Sequence, residues 1–150
     1  MTRIFTLFII LLNLGAAAQQ RKNPVERIDN MAFEAKRLHI KGTLLDLRGD
    51  TELESGVIEG AINAPWPGKQ FEELAAKLPK NEPLFMYCGG GYRSNEAADW
   101  LIKKGFSGII ILEKGFDNWY DEGYALYSLK GELIRKKALK TKHNSNTYED

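Results

Sequence analysis

The sequence predicts an α/β domain in which a mainly parallel central sheet is flanked by helices, a doubly wound arrangement. Short apolar runs of strand length alternate along the chain with amphipathic segments of helix length. Several runs are continuously apolar, which is typical of strands that are covered on both faces. A chain of 150 residues is long enough to form one such domain with its own core.

The apolar runs place the strands, and the segments between them place the helices. We expect strands over Thr43–Leu47, Gly60–Ala64, Leu84–Tyr87 and Gly108–Leu112. We expect helices over Asn30–Leu38, Phe71–Leu78, Ser94–Lys104 and Gly115–Glu122, with one helical turn over Thr51–Ser55. Asp29 or Asn30 is suited to cap the first helix, and Ser94 is suited to cap the third.

The first 18 residues have the form of a secretory signal peptide. Arg3 precedes the apolar run Ile4–Leu12, and the small residues Ala16–Ala18 follow it. The run is shorter than the roughly 20 apolar residues that cross a bilayer comfortably, although an uncleaved anchor is an alternative. We therefore expect an exported, periplasmic protein that begins near Gln19, with no stable membrane insertion after signal cleavage.

The remaining sequence divides into a flexible lead-in at 19–26, a domain at 27–126 and a basic polar tail at 127–150. Removing Arg3 from the 21 basic residues leaves 20, which equals the 20 acidic residues. This balance gives no support to nucleic-acid binding or to a charged membrane surface as partner. The tail is expected to be solvated, with a partner-binding basic arm as the alternative.

Cys88 is the one cysteine of the chain. Cysteines of exported proteins usually pair, and Cys88 has no internal partner, so it is either buried and inert or retained for its reactivity. One cysteine with two distant histidines, His39 and His143, matches no common metal-ligand spacing. We therefore expect no metal site and no cofactor.

The position of Cys88 favours reactivity. It follows a predicted buried strand and precedes a helix, at the sheet edge where α/β proteins bind ligands. The glycines Gly89–Gly91 allow several backbone N–H groups to converge on one centre. Arg93 and the helix that begins near Ser94 add positive potential. This arrangement favours a Cys88 thiolate, a persulfide on Cys88 or an incoming oxyanion, and the thiolate is the nucleophilic form of cysteine.

The length of the loop helps to separate these alternatives. Four residues lie between Cys88 and Arg93. Tyrosine-phosphatase loops place their arginine one residue further on, at the position that Ser94 occupies here. A shorter ring of amides suits a single sulfur atom better than a tetrahedral phosphate, although a phosphatase or an arsenate reductase is an alternative with the same nucleophile.

Four segments resemble, in order, the motifs of the rhodanese (thiosulfate sulfurtransferase) family in its single-domain form. They are Leu44–Arg48, with the family's Asp-x-Arg strand end; Glu52–Pro65, with its Gly-x-Ile-x-Gly-Ala-x-Asn-x-Pro stretch; Tyr87–Ser94, the active loop; and Leu112–Trp119, the closing Leu-x-x-Gly-aromatic-x-x-Trp. The resemblance covers about residues 27 to 125. It implies a rhodanese-like doubly wound domain.

The resemblance also implies a ping-pong sulfurtransferase reaction. Cys88 takes a sulfane sulfur from a small donor, thiosulfate or a persulfide, and passes it to a thiol or to cyanide; a protein thiol is a further candidate acceptor. The loop that binds the persulfide or substrate consists of Gly89, Gly90, Gly91, Tyr92, Arg93 and Ser94. Asp46 and Arg48 are expected to pair locally and to fix the loops near the site. A binding or persulfide-carrier module without turnover is the second hypothesis.

The sequence departs from the family pattern near the site. Val57 stands where the family usually has His, and Lys114 replaces a usual Gly. The loop interior has no charged residue besides Arg93. We therefore expect modest activity with thiosulfate and a thiol or persulfide as the natural partner.

Overall fold

The computed structural model describes residues 24–137. The expected signal peptide at 1–18 and most of the expected lead-in lie outside the described residues, as does the end of the tail. The strands are β1 (Val25–Ile28), β2 (Thr43–Asp46), β3 (Ile62–Asn63), β4 (Leu84–Tyr87), β5 (Ile109–Leu112), β6 (Leu126–Tyr127) and β7 (Leu133–Arg135). The helices are α1 (Asn30–His39), α2 (Lys69–Ala75), α3 (Tyr92–Lys103) and α4 (Gly115–Asp121), with a 3₁₀ helix over Asp50–Ser55.

Strands β1 to β5 form one parallel sheet in the order β1-β5-β4-β2-β3. Successive side chains of β4 and β5 enter opposite cores, as the period of a strand requires. Leu84 and Met86 pack with residues of α2 and α3, whereas Phe85 and Tyr87 pack with residues of α1 and α4. Helices thus cover both faces, and the predicted doubly wound α/β fold is confirmed.

Three short strands lie beyond the elements that the sequence predicted. Strand β1 begins at Val25, inside the expected lead-in at 19–26, and pairs with β5 at the edge of the sheet. Strands β6 and β7 form an antiparallel hairpin that reaches Arg135, so the expected tail at 127–150 begins with ordered structure. Strand β1 is completed by pairing with a distant strand, and β6 and β7 by pairing with each other, rather than by a local apolar pattern.

The first helix begins as expected, because Asp29 is its N-cap and accepts a hydrogen bond from the Ala32 amide at 2.8 Å. Within residues 24–137, no helix has both the length and the apolar character needed to cross a membrane.

Candidate active site

Cys88 lies at the carboxyl end of β4, which is the central strand of the sheet. Its side chain packs in the core on the α2 and α3 face, and the residue is 1% exposed. The Gly91 N–H donates a hydrogen bond to Sγ at 3.2 Å. The thiol is therefore held at the sheet edge where the sequence predicted a ligand site, with a backbone donor directed at its sulfur.

Gly91 makes the turn from β4 into α3 feasible. Its φ is +92°, in the left-handed region that favours glycine. A Cβ at this position would lie 2.4 Å from the Glu113 carbonyl oxygen. Glycine at 91 is therefore required both by the backbone angle and by the close approach of the turn between β5 and α4.

The first turn of α4 fastens the other end of the loop. The Phe116 N–H donates to the Cys88 carbonyl at 2.7 Å, and the Asp117 N–H donates to the Gly89 carbonyl at 3.1 Å. This approach requires Gly115, since a Cβ there would lie 2.0 Å from the Gly89 oxygen. The closing motif of the sequence thus fixes the backbone around the thiol.

The prediction that Ser94 caps the third helix is wrong. Helix α3 begins two residues earlier, at Tyr92, and Gly91 is its N-cap. The left-handed turn at Gly91 brings the chain directly into the helix, and the Asn95 side chain donates to the Gly91 carbonyl at 2.9 Å. Ser94 is instead buried in the first turn, where its Oγ has no hydrogen-bond partner among the described residues. Tyr92 is 74% exposed beside the loop.

Arg93 beside the loop is ion-paired. Its guanidinium makes a two-pronged ion pair with Glu52, with Nη1 donating to Oε2 at 2.6 Å and Nη2 to Oε1 at 2.7 Å. These bonds lower the pKa of Glu52 to about 2, with a further contribution from the Gly49 amide. The same carboxylate raises the pKa of Arg93, and the interaction of the guanidinium with the Cys88 side chain acts in the same direction. Glu52 lies in the Glu52–Pro65 motif, but the sequence alone predicts no role for it.

Asp46 and Arg48 form a second ion pair, which is buried beneath the loop. Arg48 Nη2 lies 2.6 Å from Asp46 Oδ2, and the two side chains are 2% and 0% exposed, respectively. The guanidinium also donates to the Gly56 carbonyl at 2.7 Å and stacks 3.6 Å from the centre of the Phe116 ring. Burial opposes the charge on Arg48, but the Asp46 carboxylate more than compensates, so the pKa of Arg48 is raised.

A cleft of about 220 Å³ adjoins the loop on the side of α4. Its lining consists of Ser55, Phe116, Asp117, Tyr120 and Asp121. Across residues 24–137, no group of three or more His, Cys, Asp or Glu side chains is arranged to hold a metal ion. On this geometry the site presents a buried thiol beside a backbone donor and the Arg93 guanidinium.

Comparison with protein families gives a match to the rhodanese-like domain over residues 30–122. An uncharacterised Bacillus subtilis protein, YqhL, is 33% identical over 116 residues, which are 77% of this chain and 87% of that protein. A tRNA uridine(34) hydroxylase of Pelagibacter ubique is 30% identical over 113 residues, which are 74% of this chain and 36% of the hydroxylase.

Solved structures give the same result. A rhodanese-like domain protein from Staphylococcus aureus superposes with a TM-score of 0.58 at 28% identity, covering 69% of this chain and 99% of that one. A rhodanese-related protein from Thermoplasma volcanium superposes with a TM-score of 0.53 at 29% identity, covering 66% and 94%. Both share the fold that positions Cys88.

Proposed function

The chain belongs to the rhodanese-like domain family, and from that membership we propose that it is a sulfurtransferase that carries a sulfane sulfur on Cys88. The observation that supports this most directly is the Sγ atom at the end of β4, which receives the Gly91 N–H in a loop that is otherwise glycine as far as Tyr92. A persulfide needs such a site, because its negative outer sulfur is stabilised by backbone donors.

The proposed reaction has two steps. The Cys88 thiolate attacks the sulfane sulfur of the donor, forming a Cys88 persulfide as the donor's own S–S bond breaks; with thiosulfate, sulfite leaves with the electron pair of that bond. An acceptor thiolate then attacks the outer sulfur, takes it as a persulfide and releases the Cys88 thiolate. Cyanide removes the same sulfur as thiocyanate. No net oxidant or reductant is required.

Intact mass spectrometry tests this proposal. Incubation with thiosulfate, or with a small alkyl persulfide, is expected to add one sulfur atom to the protein, and cyanide is expected to remove it. Cys88→Ser is expected to gain nothing under either donor, because a hydroxyl does not hold a sulfane sulfur. Absence of an adduct with both donors, or equal adducts on Cys88→Ser, would refute the proposal.

Turnover distinguishes the enzyme from a carrier or binding module with the same fold. We expect repeated cycles of thiocyanate formation, at a rate that is lost in Cys88→Ser. An adduct that forms once and is not passed to cyanide or to a thiol would favour the carrier. Hydrolysis of an aryl phosphate that depends on Cys88 would instead favour a phosphatase.

The relatives named tRNA uridine(34) hydroxylase are longer proteins than this domain. This chain matches 36% of the Pelagibacter ubique hydroxylase, and the activity in the name is that of the whole protein. We therefore propose transfer of sulfur to a thiol for this domain.

We further propose that the protein is exported to the periplasm. The support is the order of Arg3, the apolar run Ile4–Leu12 and the small residues Ala16–Ala18. Expression of the full chain in a Gram-negative host, followed by fractionation and N-terminal sequencing, is expected to give a periplasmic protein beginning near Gln19. A cytoplasmic protein that retains its first residues would contradict the proposal.

A further inference from the structure

At the rim of the Cys88 loop, the positive charge of Arg93 is balanced by a carboxylate. The carboxylate of Glu52 binds both terminal nitrogens of Arg93, and the pair lies directly against the residue that follows Cys88. A Cβ built at Gly89 would be 3.2 Å from Arg93 Nη2 and 3.5 Å from Glu52 Oε1. An incoming donor therefore encounters the ion pair as a unit, not an isolated cation.

A second carboxylate lies against the same loop position. Asp117 Oδ2 is 3.4 Å from the Cβ built at Gly89. Asp117 also lines the adjoining cleft together with Asp121. Around Gly89 there are thus two carboxylates and one guanidinium, so the immediate rim has a net negative charge.

The other charged groups near the loop do not reverse this balance. Arg48 is buried and paired with Asp46. Glu113 and Lys114 are both exposed on the turn before α4, and their charges are opposite. The N-terminus of α3 and the Arg93 guanidinium favour negative charge at the Cys88 sulfur itself. At the rim, the two carboxylates disfavour the dianion thiosulfate relative to a donor without net negative charge.

We propose that Glu52 is a specificity-determining residue that acts through Arg93. By neutralising the guanidinium, it selects sulfur donors that are uncharged or that carry a cation near the sulfane sulfur, such as an amine-bearing alkyl persulfide, over thiosulfate. This inference rests on the proposed sulfurtransferase function, and it names the class of donor for the same site.

Two methanethiosulfonate reagents measure the charge of the rim without any persulfide chemistry. The Cys88 thiolate attacks the sulfenyl sulfur of the 2-aminoethyl or the 2-sulfonatoethyl reagent, a disulfide forms, and methanesulfinate leaves. The ratio of the two rates, cation over anion, is normalised to that of a cysteine-containing peptide. We expect the unmodified protein to favour the cationic reagent.

Substitutions of the two partners are expected to move this ratio in opposite directions. Glu52→Gln retains an oxygen that can accept from the Gly49 amide and removes one negative charge, which shifts the ratio roughly fivefold toward the anion. Arg93→Gln shifts it toward the cation. Glu54→Gln is the matched control. Glu54 is exposed in the same 3₁₀ helix, but it lines a different cleft, which it shares with residues of the β6–β7 hairpin. It is expected to leave the ratio unchanged.

The donor experiment completes the test. In Glu52→Gln, kcat/KM for thiosulfate is expected to rise several-fold relative to that for an amine-bearing persulfide. Asp117→Asn, which keeps the backbone bond to Gly89, gives a second variant with the same expected direction.

Two results would overturn the inference: a cation-over-anion rate ratio that changes no more in Glu52→Gln than in Glu54→Gln, or an unchanged relative kcat/KM for the two donors. Failure of every donor to form a persulfide would overturn the proposed function and the specificity with it, while the reagent ratio would still report the rim charge.

Discussion

Two arginine–carboxylate pairs flank the Cys88 loop, and they differ chiefly in solvation. Asp46 and Arg48 lie 2.6 Å apart beneath the loop with side chains 0% and 2% exposed. Glu52 and Arg93 are equally close at its mouth, with side chains 37% and 31% exposed. A buried charge that loses its partner cannot be rescued by water, whereas a charge at the mouth can. The inner pair is thus suited to support the fold, and the outer pair is free to set the charge of the site.

The inner pair also positions the outer one. Arg48 Nη1 donates to the Glu52 carbonyl at 3.1 Å, and Nη2 donates to the Gly56 carbonyl. These bonds fix both the interior and the end of the 3₁₀ helix that carries Glu52. The side chain of Glu52 can therefore change without loss of the backbone that presents it, which makes the two pairs separable by mutation.

The largest effect is expected from Asp46→Ala. This substitution leaves Arg48 buried without its carboxylate, so the free energy of unfolding should fall by about 3–5 kcal/mol, measured by urea denaturation. Asp50→Ala removes a carboxylate of the same type from an exposed position in the 3₁₀ helix and should cost less than about 0.5 kcal/mol. Similar losses in the two variants would contradict a structural role for the inner pair.

A smaller effect is expected from Gly91→Ala, in the loop between the two pairs. The added Cβ meets the Glu113 carbonyl in a left-handed backbone conformation, and we expect a cost of about 1–3 kcal/mol. The Gly91 N–H should also move away from Sγ, which slows persulfide formation. Gly90→Ala is the control, since a Cβ at Gly90 would have nothing within 4 Å. Persulfide formation as fast in Gly91→Ala as in the unmodified protein would show that the Gly91 donor is dispensable.

The parts of this architecture that could be predicted are those with local signatures. The apolar runs of β2, β4 and β5, and the glycines after Cys88, placed the thiol at the carboxyl end of a central strand. Strand β1 has only two apolar residues, Val25 and Ile28, and exists because it pairs with β5. The β6–β7 hairpin is also joined to a distant segment, through the backbone bridge between Val57 and Tyr127.

The pairing of Arg93 has no local signature either. Its partner Glu52 is 41 residues away and approaches only when β2 and β4 lie side by side. The sequence therefore predicts Arg93 only as a source of positive potential for the loop. The expectation of modest thiosulfate activity followed from the neutral glycines, and the ion pair gives it a second physical reason.

Stability should respond only weakly to Glu52→Gln. The ion pair is more than a third exposed on the Glu52 side, so water replaces much of what is lost. We expect the free energy of unfolding to change by less than about 1 kcal/mol, and the change to shrink in high salt. Measurement beside Asp46→Ala under identical urea conditions compares the two pairs directly. A loss as large as that of Asp46→Ala would remove the distinction between them.

The smallest effect concerns pH and bears on whether the rim charge is constant. The Arg93 guanidinium and the Gly49 amide lower the pKa of Glu52 from 4.5 to about 2. A carboxylate whose pKa is lowered on folding stabilises the protein above its ordinary pKa, and this contribution is lost as the pH falls from about 4.5 through 2. Carbon-detected NMR titration should show Glu52 ionised at pH 4, and its pKa should rise toward the ordinary value in Arg93→Gln.

Since the carboxylate stays charged from pH 5 to 8, the ratio of the rates with the cationic and anionic reagents should be flat over that range. A ratio that drifts there in the unmodified protein, but not in Glu52→Gln, would mean that the pair opens near neutrality and that Arg93 is intermittently available to an anionic donor.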